Sequence, residues 1–402
     1  MQGRNRLALV VTLVAAALLA VVAATAQARP ATARASAAAS PYKVGIIYSR
    51  TGLLAAYGAE YVEGLRLGLQ YATNGTGKVA GHPIQLTLQD DAGDPARAVS
   101  AAKDLIGQGY KILAGSTSSG VALQVAPIAA QNQVLFISGP AASDAITGIN
   151  KFTFRSGRQS TQDVLAAQSY LQGAGRNVVV FAQDSAFGQS NFAAVNALLG
   201  AKHHVAKILV PLSANDFTPF AQQLKQAKPD LAFVAWAGTT GAAMFQALDQ
   251  QGVYQATKVV TGLAERATWP TFGAAGSRIS FISHYVANGP KNKVNDWLVA
   301  KLKARGQSPD LFTPDGFTAA QMIVHALTIA KGDGDVNKLV SSLEGWRFTA
   351  AKGPEYIRPQ DHALLQPMFQ VKLVQKSGKW TDVVTKRISP GNVQPPVKSF
   401  SG

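Results

Sequence analysis

Residues 112–137 read ILAGSTSSGVALQVAPIAAQNQVLFI, a helix-length segment between two short apolar runs. The runs at residues 112–114 and 134–137 have the length and composition of buried strands. Residues 120–132 between them are long enough to form a crossover helix. This stretch therefore predicts a β-α-β unit within a parallel sheet that is covered on both faces.

The same alternation of strand and helix patterns extends in both directions. Upstream, residues 43–48 and 84–88 are candidate strands, residues 60–71 are a candidate helix, and Asp94-Pro95 has the residues that commonly open another. Downstream, the candidate strands are residues 153–155, 178–181, 204–210, 231–234, 258–260, 279–285 and 368–374. The later candidate helices are residues 160–171, 189–199, 217–225, 242–251, 292–305 and 317–330. Two successive α/β runs of similar size predict two lobes, and the absence of a Pro- or Ser-rich linker indicates short connections.

The N-terminal residues have the pattern of a secretory signal peptide. Arg4 and Arg6 precede an apolar run at residues 7–24, and Ala26-Gln27-Ala28 resembles a cleavage site. We expect residues 1–28 to form the signal peptide, 29–41 to be a linker, and the mature chain to be periplasmic or on the outer face of the cell membrane. A retained membrane anchor is the alternative, because the apolar run is long enough to span a bilayer.

Composition excludes several classes of protein. The 402 residues include no cysteine, which removes disulfide scaffolds, thiolate nucleophiles and iron–sulfur clusters. The net charge is +16, but the basic residues are scattered and are not interleaved with aromatics, so we expect no nucleic-acid partner. The six histidines form no metal-binding spacing, so we expect no metal and no cofactor.

The turn at residues 115–120 is the strongest candidate for a binding site. It follows a candidate strand, precedes a candidate helix, and carries the hydroxyl groups of Ser116, Thr117, Ser118 and Ser119. Free backbone N–H groups and the positive end of a helix dipole favour a carboxylate or a phosphate at such a turn. Plain helix capping is the alternative interpretation, but one hydroxyl would be enough for it.

A second turn, at residues 138–143, also follows a candidate strand. Parallel strands bring their carboxyl ends to one edge, where ligands bind in open α/β sheets. The small residues of this turn would let a ligand approach the backbone closely, although they are also ordinary loop formers.

The motifs of the common α/β enzymes are missing. No Gly-x-Gly-x-x-Gly fingerprint, P-loop or Gly-x-Ser-x-Gly nucleophile elbow occurs in the chain. We therefore expect a binding protein that is not an enzyme, with an α/β-fold hydrolase as a remaining alternative.

The ordered motifs of the mature chain resemble those of the periplasmic solute-binding proteins of the branched-chain amino acid ABC transporter family, the leucine/isoleucine/valine-binding type. They are Val44-Gly45-Ile46, Thr51-Gly52, Ala56-Tyr57-Gly58, Glu63-Gly64, Gly81-His82-Pro83-Ile84, Asp90-Asp91, Asp94-Pro95, residues 138–143, Phe152-Thr153-Phe154-Arg155 and Asp184 before Phe187-Gly188. The resemblance covers the chain from Tyr42 to about Val374. Each piece is weak alone, but their order and spacing are specific.

The resemblance implies a type I periplasmic-binding-protein fold, with two α/β lobes joined by three crossings that close on a small molecule. From the strand-rich pieces between the α/β blocks, we place the first lobe at residues 42–157 and 285–352 and the second at 158–284 and 353–388. We expect the tail at residues 389–402, which contains three prolines, to be poorly ordered. A membrane permease is the implied partner, and we expect a monomer. A ligand-sensing receptor domain of a regulatory or chemotactic system is the alternative function.

The resemblance also assigns ligand-binding residues. Ser119, flanked by Thr117 and Ser118, would hold a ligand carboxylate, and Tyr57 and Phe187 would be pocket aromatics. Trp236 is either a further pocket aromatic or a core residue. The second turn would contribute Pro140, Ala141, Ala142 and Ser143.

One position departs from the family pattern. Amino-acid binders hold the ligand ammonium with an acidic residue where this chain has Leu263, and only Glu265, two residues later, could replace it. A buried ammonium without a carboxylate partner is costly. The ligand is therefore either an amino acid, if Glu265 serves, or an organic acid without an amine, such as an aromatic acid.

Overall fold

The first lobe is built on a six-stranded sheet. The computed structural model describes residues 39–401, so the predicted signal peptide and most of the linker lie outside the described residues. The sheet has the order β2-β3-β1-β4-β5-β6 and is parallel except for the short β2. Its strands are β1 (Tyr42–Tyr48), β2 (Lys78–Val79), β3 (His82–Asp90), β4 (Ile112–Gly115), β5 (Leu135–Ser138) and β6 (Thr153–Arg155).

The second lobe is built on a seven-stranded sheet. Its first five strands in chain order are parallel, and two later strands join antiparallel at one edge to give the order β16-β15-β11-β10-β9-β7-β8. The strands are β7 (Asn177–Gln183), β8 (His204–Val210), β9 (Leu231–Ala235), β10 (Lys258–Gly262), β11 (Ser280–Ser283), β15 (Met368–Lys376) and β16 (Lys379–Ile388). The predicted parallel α/β architecture is confirmed.

Helices cover both faces of the two sheets. They are α1 (Ala55–Ala72), α2 (Pro95–Gly107), α3 (Ser119–Gln131), α4 (Ser160–Ala167), α5 (Ala186–Leu199), α6 (Thr218–Gln226), α7 (Gly241–Gln250), α8 (Val253–Ala256), α9 (Lys293–Lys303), α10 (Thr313–Ala330) and α11 (Val336–Leu343). Within residues 39–401, no helix has the length and hydrophobicity needed to cross a bilayer.

Each sheet separates two apolar cores, because alternate strand residues point to opposite faces. In β4, Ile112 and Ala114 pack in one core with residues of α10, whereas Leu113 packs in the other with residues of α2 and α3. Burial on both faces explains why the strands read as continuous apolar runs.

The third connection between the lobes lies later than predicted. A small antiparallel sheet of β12 (Arg347–Ala350), β13 (Gly353–Ile357) and β14 (Leu364–Leu365) follows α11. Ile357 and Leu364 pack in a core of the first lobe. The chain therefore passes to the second lobe between β14 and β15, and the predicted boundary at residues 352–353 is about one small sheet too early.

The tail is ordered, contrary to expectation. Val393 is buried in a core of the second lobe, and residues 394–401, which we call the C-terminal strap, then return to the first lobe. Arg358 donates to the carbonyl oxygens of Pro395 and Pro396, and the backbone N–H of Ser401 donates to the carbonyl of Gly148 at 3.0 Å. The strap is thus a further link between the two lobes.

Candidate functional site

A cavity of about 540 Å³ is lined by segments that follow strands of both sheets. The first lobe contributes Tyr57 and residues 117–120, and the second contributes residues 183, 185–187 and 233–238. These segments lie at the carboxyl ends of the parallel strands, where open α/β sheets bind ligands. Because both lobes contribute to its walls, this cavity is the candidate site.

The hydroxyl-bearing turn lines the cavity through Thr117, Ser118 and Ser119. Ser118 immediately precedes α3, but its side chain makes no capping hydrogen bond. Ser119 accepts a hydrogen bond from the backbone N–H of Ser143 at 3.1 Å, which leaves its hydroxyl hydrogen free to donate. Plain capping by Ser118 therefore does not account for this turn.

The second predicted turn contributes only half of its residues to the wall. Pro140 and Ala142 line the cavity, whereas Ala141 and Ser143 do not. The buried Arg155 donates to the carbonyl oxygens of Ala141 and Ser143, at 2.6 and 2.9 Å. Both carbonyls are thus used inside the first lobe, so the expectation that all four residues face a ligand needs correction.

The three predicted aromatic residues all line the cavity. The Tyr57 ring lies 4.5 Å from the Phe312 ring, and its hydroxyl accepts a hydrogen bond from the backbone N–H of Gly238 in the second lobe at 3.1 Å. Burial and the nearby charge of Glu265 raise the pKa of Tyr57, so the phenol stays neutral. Trp236 is half-buried, and its indole N–H donates to Thr240 at 3.0 Å.

Leu263 and Glu265 both line the cavity, in different surroundings. Leu263 is buried in the second lobe's core, and its backbone N–H donates to Ile282 at 2.7 Å. Glu265 is half-buried and accepts a hydrogen bond from Thr268 at 2.9 Å. The carboxylate in this part of the wall is therefore that of Glu265.

Among the wall residues that were not predicted from the sequence are two charged side chains, an imidazole and an aromatic ring: Arg158, Asp163, His284 and Phe312. Arg158 lies on the connection between β6 and α4, and His284 follows β11 directly, so both occupy crossings between the lobes. Arg158 and His284 could have been singled out from the sequence, because each is a charged or imidazole side chain just beyond the carboxyl end of a strand. Phe312 precedes α10, and only the folded chain brings it to the cavity.

A buried charged network, comprising His284, Asp315, Lys352 and Glu355, lies behind the crossings. Asp315 pairs with Lys352 at 2.9 Å and with His284 at 3.4 Å, and Lys352 also donates to the carbonyl of Ser156 at 2.8 Å. Burial acts to raise the pKa of Asp315, but Lys352 and His284 outweigh it and lower the pKa to about 2. The network therefore ties the first and second crossings together through the first lobe.

A periplasmic binding protein family model matches residues 41–379. The chain belongs to the periplasmic binding protein family. This periplasmic binding protein is 25% identical over 314 residues to Leu/Ile/Val-binding protein homolog 3 of Brucella melitensis, covering 77% of this chain and 84% of that protein. It is also 25% identical to Leu/Ile/Val-binding protein BraC3 of Rhizobium johnstonii, covering 75% and 83%. The predicted family is confirmed.

Solved structures share the fold of this periplasmic binding protein. An ABC-type branched-chain amino acid transporter protein from Rhodopseudomonas palustris CGA009 matches with a TM-score of 0.73 and 31% identity, over 89% of this chain and 99% of that one. A solute-binding protein of an ABC transporter from Rhodopseudomonas palustris BisB5, in complex with 3,4-dihydroxybenzoic acid, matches with a TM-score of 0.78 and 25% identity, over 89% and 98%. The type I two-lobed architecture and the role of a solute-binding protein of ABC transport agree with these relatives.

Proposed function

We propose that this periplasmic binding protein captures a small carboxylate with an apolar, ring-sized body for an ABC importer. The observation that carries the proposal is the composition of the cavity wall. The hydroxyl groups of residues 117–119 stand beside the start of α3, and the rings of Tyr57, Phe187, Trp236 and Phe312 lie in the same wall. An anion-binding turn next to aromatic rings suits a carboxylate on an apolar body.

The rim contacts between the lobes support capture by closure. Besides the bond from Gly238 to Tyr57, the backbone N–H of Thr239 donates to the carbonyl of Leu53 at 3.1 Å. The backbone N–H of Asp144 donates to the Ser190 hydroxyl at 2.9 Å. A ligand enclosed by both lobes enters and leaves when such contacts break, which is the hinge motion of two-lobed binding proteins.

Two ligand classes fit the cavity, and they differ by one amine. The aromatic rings favour an aryl carboxylate, and one relative was solved with 3,4-dihydroxybenzoic acid. The carboxylate of Glu265 in the wall favours an amino acid, and other relatives are named for leucine, isoleucine and valine. We propose that a ligand of either class is recognised through its carboxylate. Experiment then decides whether the ligand also carries an amine.

Matched ligand pairs separate the two classes. Thermal unfolding of the purified mature chain is followed with L-phenylalanine against 3-phenylpropanoate, and with L-leucine against 4-methylpentanoate, because each pair differs only in the amine. Binding to the folded chain stabilises it by RT ln(1 + L/Kd), where L is the free ligand concentration, so the melting temperature rises as the ratio of L to Kd increases. If the site requires an amine, only the amino acids stabilise the chain, and Glu265→Gln loses this response. Glu63→Gln is the control and should keep the response, because Glu63 is a half-buried carboxylate that pairs with Arg305 outside the cavity wall.

The absence of any melting-temperature shift with these four compounds and 4-hydroxybenzoate at millimolar concentration would overturn the proposal. Turnover of a bound compound by the purified chain would instead revive the hydrolase alternative.

Location and partners follow from the same proposal. We place the mature chain outside the inner membrane as a monomer that delivers its ligand to a membrane permease, with no nucleic-acid partner. Cell fractionation tests the location: the chain lacking residues 1–28 should stay in the cytoplasm, while the full chain is exported.

A further inference from the structure

Arg158 is a basic side chain of the cavity wall that lies at a crossing between the lobes. It follows β6 by three residues, and only 13% of its side chain is exposed. A guanidinium this far removed from water needs charged or hydrogen-bonding partners to offset its lost hydration.

The contacts of Arg158 use only one edge of the guanidinium. Its Nε lies 3.2 Å from each carboxylate oxygen of Asp163. Within residues 39–401, neither Nη1 nor Nη2 makes a hydrogen bond. Asp163 therefore holds the base of the guanidinium and leaves its two terminal nitrogens available.

Two aromatic rings flank the same group. The guanidinium carbon of Arg158 lies 6.0 Å from the Phe187 ring centre and 5.9 Å from that of Phe312. Contacts of this length between a guanidinium and a ring are favourable and restrict the side chain. Since Phe187 is on the second lobe and Phe312 precedes α10, the guanidinium is positioned by parts of the chain that are distant in sequence.

We infer that Arg158 binds the ligand carboxylate through Nη1 and Nη2 and determines specificity for its negative charge. The inference rests on the proposed function and holds for an amino acid or an amine-free acid, because both carry the carboxylate. The planar fork of two N–H donors matches two carboxylate oxygens. The hydroxyl groups of residues 117–119 cannot make this distinction, because a hydroxyl donates to an acid or an amide oxygen alike.

The test compares acids with their amides. Dissociation constants are measured by calorimetry for 3-phenylpropanoate and 3-phenylpropanamide, and for L-phenylalanine and L-phenylalaninamide. The wild type should bind the acid of the preferred pair about 10- to 100-fold more tightly than its amide, as expected for a charge-assisted bond. In Arg158→Gln this ratio should fall to within about threefold, whereas Ser119→Ala should weaken both compounds and leave the ratio nearly unchanged.

Three further variants guard against a folding artefact. Arg158→Gln alone leaves the buried Asp163 without its cation, so Arg158→Gln/Asp163→Asn removes both charges and should show the same loss of discrimination. Arg176→Gln/Asp230→Asn is the matched control, because it removes an exposed arginine–aspartate pair outside the cavity wall. Arg158→Lys keeps the charge without the fork and should retain part of the ratio.

The outcomes separate the two proposals. A wild type that binds none of the acids contradicts the proposed function. A wild type that prefers acids, together with a double variant that keeps the full acid-to-amide ratio, overturns the role of Arg158 and leaves the proposed function standing.

Discussion

Ser119 serves the fold and faces the cavity at the same time. Its oxygen accepts the hydrogen bond from the backbone N–H of Ser143, and its hydroxyl hydrogen remains free. The turn at residues 138–143 is therefore fixed to the turn at residues 115–120. The residue expected to contact a ligand also positions the neighbouring part of the wall.

Replacing Ser119 with alanine should weaken carboxylate binding about fivefold, because one hydrogen bond contributes about 1 kcal/mol net. Calorimetric titration with the best ligand of the matched pairs measures the change. Ser341→Ala, on the exposed face of α11, is the control and should bind like the wild type. Unchanged affinity in Ser119→Ala would show that the hydroxyl makes no ligand contact.

The sequence was informative about single residues where the local pattern decides their position. Thr117 and Ser119 follow a strand and open a helix, so their place at the sheet edge was predictable. The position of Arg158 in the cavity wall was not predicted, because Phe187 and Phe312, which flank its guanidinium, come close to it only in the folded chain. Ser143 was misjudged because nothing local reveals that Arg155 takes its carbonyl.

Helix α2 illustrates how an element is set by its first residues. Asp94 precedes it, and its carboxylate accepts hydrogen bonds from the backbone N–H groups of Ala96, at 2.7 Å, and Arg97, at 3.3 Å. Pro95 occupies the first helical position, where its missing N–H costs nothing. Both features were predicted from the sequence.

Asp94→Ala should lower the free energy of unfolding by about 1 kcal/mol, because two N–H groups at the start of α2 lose their acceptor. Urea unfolding followed by circular dichroism measures it. Asp104→Ala, an exposed aspartate on the same helix with no capping bond, should change stability by less than about 0.5 kcal/mol. Equal effects of the two substitutions would contradict the capping role.

Short elements were harder to predict than long ones. The helix expected at residues 120–132 is observed as Ser119–Gln131, because its apolar spacing extends over several turns. Strands β12, β13 and β14 have at most five residues each. In β13 the buried positions include Gly353 and the charged Glu355, so its burial does not show as an apolar alternation in the sequence. The pairing of these three strands depends on contact with the first lobe. The prediction from sequence therefore placed the third crossing before these strands instead of after them.

At the scale of the whole molecule, the charged network joins the first and second crossings between the lobes. Glu355 is its most unusual member: burial raises its pKa to about 7, although Lys352 opposes the shift from 3.5 Å away. The folded chain thus holds the Glu355 proton more tightly than the unfolded chain does. The stabilising contribution of this protonation is fully present below the unfolded pKa and is lost as the pH rises through about 7.

Glu355→Gln should therefore change the pH dependence of stability. The melting temperature of the wild type should fall relative to that of the variant between about pH 5 and about pH 8, because glutamine keeps an acceptor for Thr318 and cannot ionise. Glu63→Gln serves as the control, because the half-buried Glu63 pairs with Arg305 outside the buried network. A constant difference between wild type and Glu355→Gln over this range would contradict the raised pKa.

The C-terminal strap should contribute measurably to stability. Ending the chain after Val393 removes the carbonyl partners of Arg358 and the N–H that Lys398 donates to Asp361. We expect a melting temperature at least about 3 °C lower, since several buried hydrogen bonds of about 1 kcal/mol each disappear. Val397→Ala, which shortens an exposed strap side chain, should melt like the wild type. A truncated chain that melts like the wild type would show that the strap is not part of the stable fold.

The strap also determines where fluorescent reporters must be attached if they are to detect ligand binding. It carries the C-terminus from the second lobe back to Gly148 of the first, and β1, the first strand of the described chain, lies in that same lobe. Fluorescent proteins attached just before β1 and just after the strap would both be attached to the first lobe, so we expect little change in energy transfer when ligand binds. A biosensor made from this chain needs one of its fluorophores in a loop of the second lobe outside the cavity wall, such as the exposed segment at residues 172–176.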